Sequence, residues 1–118
     1  MSFSAEQQAK IDRIKQQLNS VPTQPGVYLW KNAAGEVIYV GKAKQLRARM
    51  RQYVNLQDDR AKIPLLVEAI DSFEYIVVDN EHESLVLEKN LINQHAPFFN
   101  ADFKDDKSYP FVALTMGD

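Results

Sequence analysis

Two strand-like runs, Gly26–Lys31 and Val37–Lys42, are joined within a single short loop. Both are rich in β-branched and aromatic residues, and Asn32-Ala33-Ala34-Gly35 between them is turn-like, with Gly35 free to take positive φ. A link that short leaves no room for a parallel crossover, so the two runs must pair antiparallel. Any fold open to this chain is laid on that hairpin.

Around it the chain reads as helix, hairpin, two helices, strand, helix and tail. Ser4 caps a helix over 5–19, in which Ile11, Ile14 and Leu18 recur at helical spacing before Pro22 and Pro25 break the chain. Leu46, Met50 and Val54 at four-residue steps predict a helix over Gln45–Asn55. A shorter helix is expected over Arg60–Ile70, with Pro64 in its first turn. Phe73–Val78 reads as a third strand. Asn80 followed by Glu83 forms a capping-box pattern for a helix running to about His95, which Pro97 ends. Phe98–Asp118 reads as mostly irregular, with an edge strand over Tyr109–Thr115. The expected class is α/β in the α+β sense: a small three-stranded, mostly antiparallel sheet flanked by helices. It forms one domain, with an N-terminal helical extension over 1–21, a core over 22–100 and a tail over 101–118.

Composition narrows function by exclusion. There is no cysteine, so disulfides and thiolate metal sites are ruled out. No apolar run is long enough to span a bilayer, so no membrane partner is expected. The first residues lack the pattern of a secretory signal, and the chain fits the cytoplasm. The net charge is −2, but Lys42–Lys62 holds seven cations against two anions, a local +5 that leaves −7 elsewhere. Such a patch is a solvated helix face or a surface that meets phosphates, with modest affinity for DNA.

Glu88 is the sharpest single position. On a helix over 80–95 it falls near the middle of the side marked by Leu85, Leu87, Leu91 and Ile92, with Glu81, Ser84 and His95 on the same side. An acid aimed at a core needs a partner, either an arginine or a metal ion. Arg49 and Tyr53, four residues apart, share one helix face, while Arg47 and Arg51 project elsewhere. Arg49 either forms a salt bridge, Glu88 being one candidate, or holds a phosphate oxygen. Tyr28 and Tyr39 sit on neighbouring strands, each beside a glycine-containing motif. A phenol that takes a proton from water near neutral pH needs a nearby cation, which Lys42 can supply. Asn100 reads locally as an Asn turn, Lys104–Lys107 as a solvated charged loop, His82 as exposed and His95 as an inward-facing core or cap histidine.

Gly26-Val27-Tyr28 and Tyr39-Val40-Gly41, in this order and spacing, resemble the two signatures of the GIY-YIG endonucleases. Lys42-Ala43-Lys44, the run Asn80–Glu88, Pro97-Phe98-Phe99-Asn100 and Lys104–Pro110 are similar to the N-terminal nuclease domains of the UvrC branch. The resemblance covers roughly residues 22–115. Val27 and Val40 replace the isoleucines of the family name, and Ser84 stands where alanine is usual. It implies that Glu88 is a single metal-binding carboxylate for one divalent cation, Mg²⁺ or Mn²⁺. It also implies that Tyr28, Tyr39, Lys42, Arg49, Tyr53 and Asn100 are active-site residues. Lys42, Lys44, Arg47 and Arg51 are expected to meet DNA. Longer members carry a UvrB-interacting segment, a second nuclease domain and a helix-hairpin-helix region. None of these fits here, so the chain reads as a monomeric domain cut from a longer protein, with a standalone relative as the alternative.

The expected activity is metal-dependent hydrolysis of one DNA strand on the 3′ side of a lesion, with Tyr28 or Tyr39 activating the water. For this to work, acid and phenols are expected to open onto one shared hollow. The alternatives are a non-catalytic DNA- or protein-binding module, in which Glu88 merely pairs with Arg49, and a GIY-YIG nuclease of another type.

Overall fold

A computed structural model describes residues 4–58, 60 and 62–105. Its elements are α1 (Ala5–Leu18), β1 (Gly26–Lys31), β2 (Val37–Ala43), α2 (Leu46–Val54), α3 (Ile63–Ala69), β3 (Ser72–Val77), α4 (Glu81–His95) and α5 (Phe98–Asp105).

The hairpin forms as its sequence requires. Asn32 Oδ1 accepts hydrogen bonds from the Ala34 and Glu36 N–H groups, and Gly35 takes φ 84°. β1 is the central strand, paired antiparallel to β2 on one side and β3 on the other. Its side chains are buried on both faces, so it reads as a continuous apolar run. Alternation sends Tyr28 and Trp30 to one face and Val27 and Leu29 to the other. The register slips between Trp30 and Lys31, and the extra residue, Ile38, turns into the larger core.

The helices cover the two faces unequally. α1, α2 and α3 pack Ile11, Ile14, Leu46, Met50, Ile63 and Leu66 over Tyr28, Trp30 and Tyr39. Among the described residues α4 alone covers the other face, laying Leu87, Leu91 and Ile92 on Val27, Leu29 and Val40. Strand β3, at one edge, keeps Tyr75, Ile76 and Val77 exposed.

Several expectations change. Asn80 caps α4 by accepting from the Glu83 N–H (2.9 Å), but the Glu83 carboxylate returns to the Asp79 N–H, so the box closes one residue early. The stripe that α4 buries runs through Ser84, Leu87, Leu91 and Ile92, which leaves Leu85 43% exposed and Glu88 on the rim. His95 is exposed rather than inward, because it lies in the last turn of the helix; His82 is exposed as expected. The second of the two middle helices begins at Ile63, not Arg60. The stretch after Pro97 is not irregular. It forms α5, whose Phe99 enters the larger core, so Lys104 and Asp105 end a helix and are not loop. The edge strand expected over Tyr109–Thr115 and the rest of the 104–107 loop lie outside the described residues.

Candidate active site

The face under α2 gathers three phenols. Tyr28 comes from β1, Tyr39 from β2 and Tyr53 from the last turn of α2. Tyr28 and Gly41 are cross-strand partners. The Tyr28 and Tyr53 hydroxyls lie 2.7 Å apart. Arg49 stacks its guanidinium 4.8 Å above the Tyr53 ring and approaches the Tyr53 hydroxyl at 3.4 Å; Arg60 donates to the same hydroxyl at 3.2 Å. Both guanidiniums converge on Asp58, Arg49 at 2.9 Å and Arg60 through Nε and a terminal nitrogen at 3.2 and 3.1 Å.

Burial sets the protonation of these groups. It pushes the Tyr28 phenol well up, and the neighbouring Tyr53 and Tyr39 add to the rise. It pushes Tyr39 up to about 12, with Arg60 pulling the other way. Asp58 behaves oppositely: its side chain is only 9% exposed, and burial alone would raise it. Hydrogen bonds from the Arg60 side chain and N–H and from Arg49 prevail and lower it to about 2. Tyr28 and Tyr39 are therefore neutral, and the acid between the arginines is ionised.

Glu88 lies on α4, the helix over the other side of the sheet. It is half-buried and, among the described residues, makes no hydrogen bond or ion pair. Burial raises its pKa, and the charge that opposes the rise belongs to Lys42. Lys42 shares the Val40 side of β2 by strand alternation, so it neighbours the acid and not the phenols it was expected to assist. Lys44 lies 3.9 Å from Glu81 at the start of α4, and both are exposed. Arg49 thus finds Asp58 as its carboxylate partner, and Glu88 is left without an arginine. Ser84 is buried, and its hydroxyl donates to the Glu81 carbonyl at 2.7 Å, which supplies the partner it needed.

Asn100 is neither a turn residue nor free. From α5 its amide brackets Val40, accepting from the N–H at 2.8 Å and donating to the C=O at 2.9 Å. It takes the place of a further strand beside edge strand β2, between Tyr39 and Gly41. Arg47 and Arg51, expected to meet DNA, also bond within the fold. Arg47 Nε donates to the Val21 carbonyl and Arg51 to Asn19, and both fasten α2 to the end of α1.

The acid and the phenols approach edge strand β2 from its two sides. β2 carries Tyr39 into the phenol cluster and Lys42 to the side of Glu88, from opposite faces. A cavity of about 560 Å³ lies against Lys31, Val37 and His95 and is lined by neither group. Among the described residues no three His, Asp or Glu side chains gather into a metal cage. A metal here would rest on Glu88 alone, an arrangement that suits a cation keeping most of its waters. Asp58 and Arg60 were missed as site residues. Their one local trace is an acid two places before an arginine shortly ahead of α3, where Asp58 accepts the Arg60 N–H at 3.0 Å.

Comparison with known proteins places this arrangement. Residues 24–101 match the model of the UvrC-like GIY-YIG domain. The UvrABC system protein C of Koribacter versatilis is 56% identical over 107 residues, covering 89% of this chain and 17% of that protein. The protein of the same name from Clostridium beijerinckii is 50% identical over 105 residues, covering 88% and 17%. The chain thus spans a small part of the length of these relatives. Among solved structures, the GIY-YIG N-terminal endonuclease domain of UvrC from Thermotoga maritima aligns as a tyrosine-to-phenylalanine point mutant bound to its catalytic divalent cation. Its TM-score is 0.67 at 40% identity, over 75% of this chain and 96% of that one. The magnesium-bound form of the same domain aligns with TM-score 0.62 at 40% identity, over 83% and 99%. By matched length and identity, this chain belongs to the family of UvrC-like GIY-YIG domains.

Proposed function

We propose that this domain is a divalent-metal-dependent endonuclease that hydrolyses one DNA strand on the 3′ side of a lesion during excision repair. Glu88 carries the reading. It is a half-buried carboxylate with a raised pKa and, among the described residues, no hydrogen bond or ion pair, and such a group favours a cation brought from outside. A single Mg²⁺ or Mn²⁺ ion on Glu88, completed by waters and a phosphate oxygen, would polarise the phosphoryl group and stabilise the leaving 3′-oxygen.

The chain's own residues divide the remaining work. Lys42, exposed beside Glu88, opposes the rise of its pKa and meets the DNA backbone with Lys44. Arg49 offers a guanidinium to the scissile phosphate. Tyr28 is sealed, with its hydroxyl on Tyr53, so Tyr39 is the better placed of the two phenols to orient the attacking water. Being protonated, Tyr39 accepts the water's hydrogen bond, and becomes a full base only where further positive charge reaches it. Water oxygen bonds to phosphorus and the bond to the 3′-oxygen breaks, leaving a 5′-phosphate and a 3′-hydroxyl. Asn100 positions Tyr39 through the backbone of Val40. Lesion choice and contact with UvrB belong to the full-length protein.

A non-catalytic binding module is the less favoured reading. It needs a free basic helix and a Glu88 paired with arginine. Arg47 and Arg51 are engaged within the fold, and Arg49 pairs with Asp58.

The test is incision of a damaged duplex by the full-length protein, wild type against Glu88→Ala, alongside Mn²⁺ binding to each. Loss of both cutting and ion binding in a folded variant is expected. Normal cutting by Glu88→Ala would refute the reading.

A further inference from the structure

Arg60 precedes α3 and is held from several directions. Its Nε and one terminal nitrogen grip the Asp58 carboxylate, and its own N–H returns to the same acid. That grip leaves the terminal nitrogen to donate to the Tyr53 hydroxyl at 3.2 Å. Arg60 and Tyr39 are likewise hydrogen-bonded. A guanidinium donates only. Arg49 and Arg60 both donate to the Tyr53 oxygen, which also shares a hydrogen bond of 2.7 Å with the Tyr28 hydroxyl. Arg60 therefore orients hydroxyls contributed by β2 and α2.

We propose, on the nuclease reading above, that Arg60 is a positioning residue for the reaction: clamped by Asp58, its guanidinium fixes the Tyr39 and Tyr53 hydroxyls in the array that receives water and phosphate. Two further observations support it. Arg60 is the cation that opposes the rise of the Tyr39 pKa, the part first assigned to Lys42. And Asp58 has the bidentate geometry that holds an arginine in one orientation. Lysine could not reproduce this, since a single ammonium lacks the planar fork that serves the acid and the phenols at once.

The experiment is single-turnover incision by the full-length protein carrying this domain, with melting temperature and DNA affinity measured for every variant. Arg60→Gln is expected to slow cutting roughly tenfold or more while DNA affinity stays within about twofold. Arg60→Lys should recover part of the rate. Arg60→Gln combined with Tyr39→Phe should lose less than the product of the two single losses, because the two share the Tyr39 hydroxyl. Wild-type cutting by Arg60→Gln, a loss confined to DNA affinity, or rate losses that multiply in the double variant would each overturn the proposal. Should Arg60→Gln not fold, Arg60→Lys decides in the same way: a several-fold slower rate at unchanged melting temperature supports it, and full activity overturns it. Glu88→Ala separates the two readings. If that variant cuts normally, the nuclease assignment fails; if it is dead while Arg60→Gln is normal, only the role of Arg60 fails.

Discussion

Tyr28 fills the space that a side chain on Gly41 would occupy. An ideal Cβ on Gly41 would lie 2.3 Å from the Tyr28 hydroxyl oxygen and 2.4 Å from the ring carbon that bears it. The glycine of the second signature therefore serves the tyrosine of the first across the strand pair, and no ligand is needed to explain it. Gly26 is explained similarly, by the Ile76 carbonyl and Leu46 at 2.3 and 2.6 Å.

Gly41→Ala should therefore destabilise the domain by about 2–3 kcal/mol, since a rigid ring hydrogen-bonded to Tyr53 cannot yield cheaply. Urea unfolding measures it. In a Tyr28→Phe background most of the cost should remain, because the ring carbon stays in the way. A loss under about 0.5 kcal/mol would show that the ring moves freely.

Asn100→Ala should expose the Val40 N–H and C=O at the β2 edge. Two hydrogen bonds vanish, so a loss of about 1–2 kcal/mol is expected, together with much faster amide exchange at Val40. Unchanged protection of that amide would mean that Asn100 does not hold the strand.

Where sequence and structure agree, the determining signals are local. Alternation and turn chemistry define the hairpin, and three- and four-residue spacing defines α1 and α2. α5 escaped notice because Pro97 reads as a stop for α4, although proline suits the start of a helix just as well. An asparagine inside a short helix also argues against it, and only the long-range bonds to Val40 compensate. At the site, the helical wheel placed Glu88 near the middle of the apolar side; Leu85 proves exposed, and that error of one leucine moves Glu88 to the rim. The partner of Arg49 was not legible, because Asp58 lies nine residues on across a loop that no periodicity describes. The separation of Lys42 from Tyr39 was legible in principle: three places apart on a strand means opposite faces.

Glu88→Gln should raise the metal-free stability at pH 7. Burial lifts the folded pKa of Glu88 above its unfolded value, and Lys42 only partly offsets it. A carboxyl shifted upward gives its full relative stability below the unfolded value, about pH 4, and loses it as pH rises through the folded pKa. Wild type should thus melt below the variant at pH 7 and match it near pH 4. Millimolar Mg²⁺ or Mn²⁺ should raise the melting temperature of wild type and leave Glu88→Gln unmoved. A metal response of equal size in both would remove Glu88 as the ligand.

Asp58 should titrate in the opposite sense. Its pKa falls from 3.8 to about 2 in the folded chain. The stability it contributes is fully present above about pH 4 and disappears as pH falls through about 2. The shift corresponds to about 2 kcal/mol for this nearly buried acid. Melting curves of wild type and Asp58→Asn should be far apart at neutral pH and converge only in strong acid. Subtracting one curve from the other removes the carboxylates they share. Parallel curves from pH 7 to 2 would mean that Arg49 and Arg60 gain nothing from the acid between them, and that neither guanidinium is held by it.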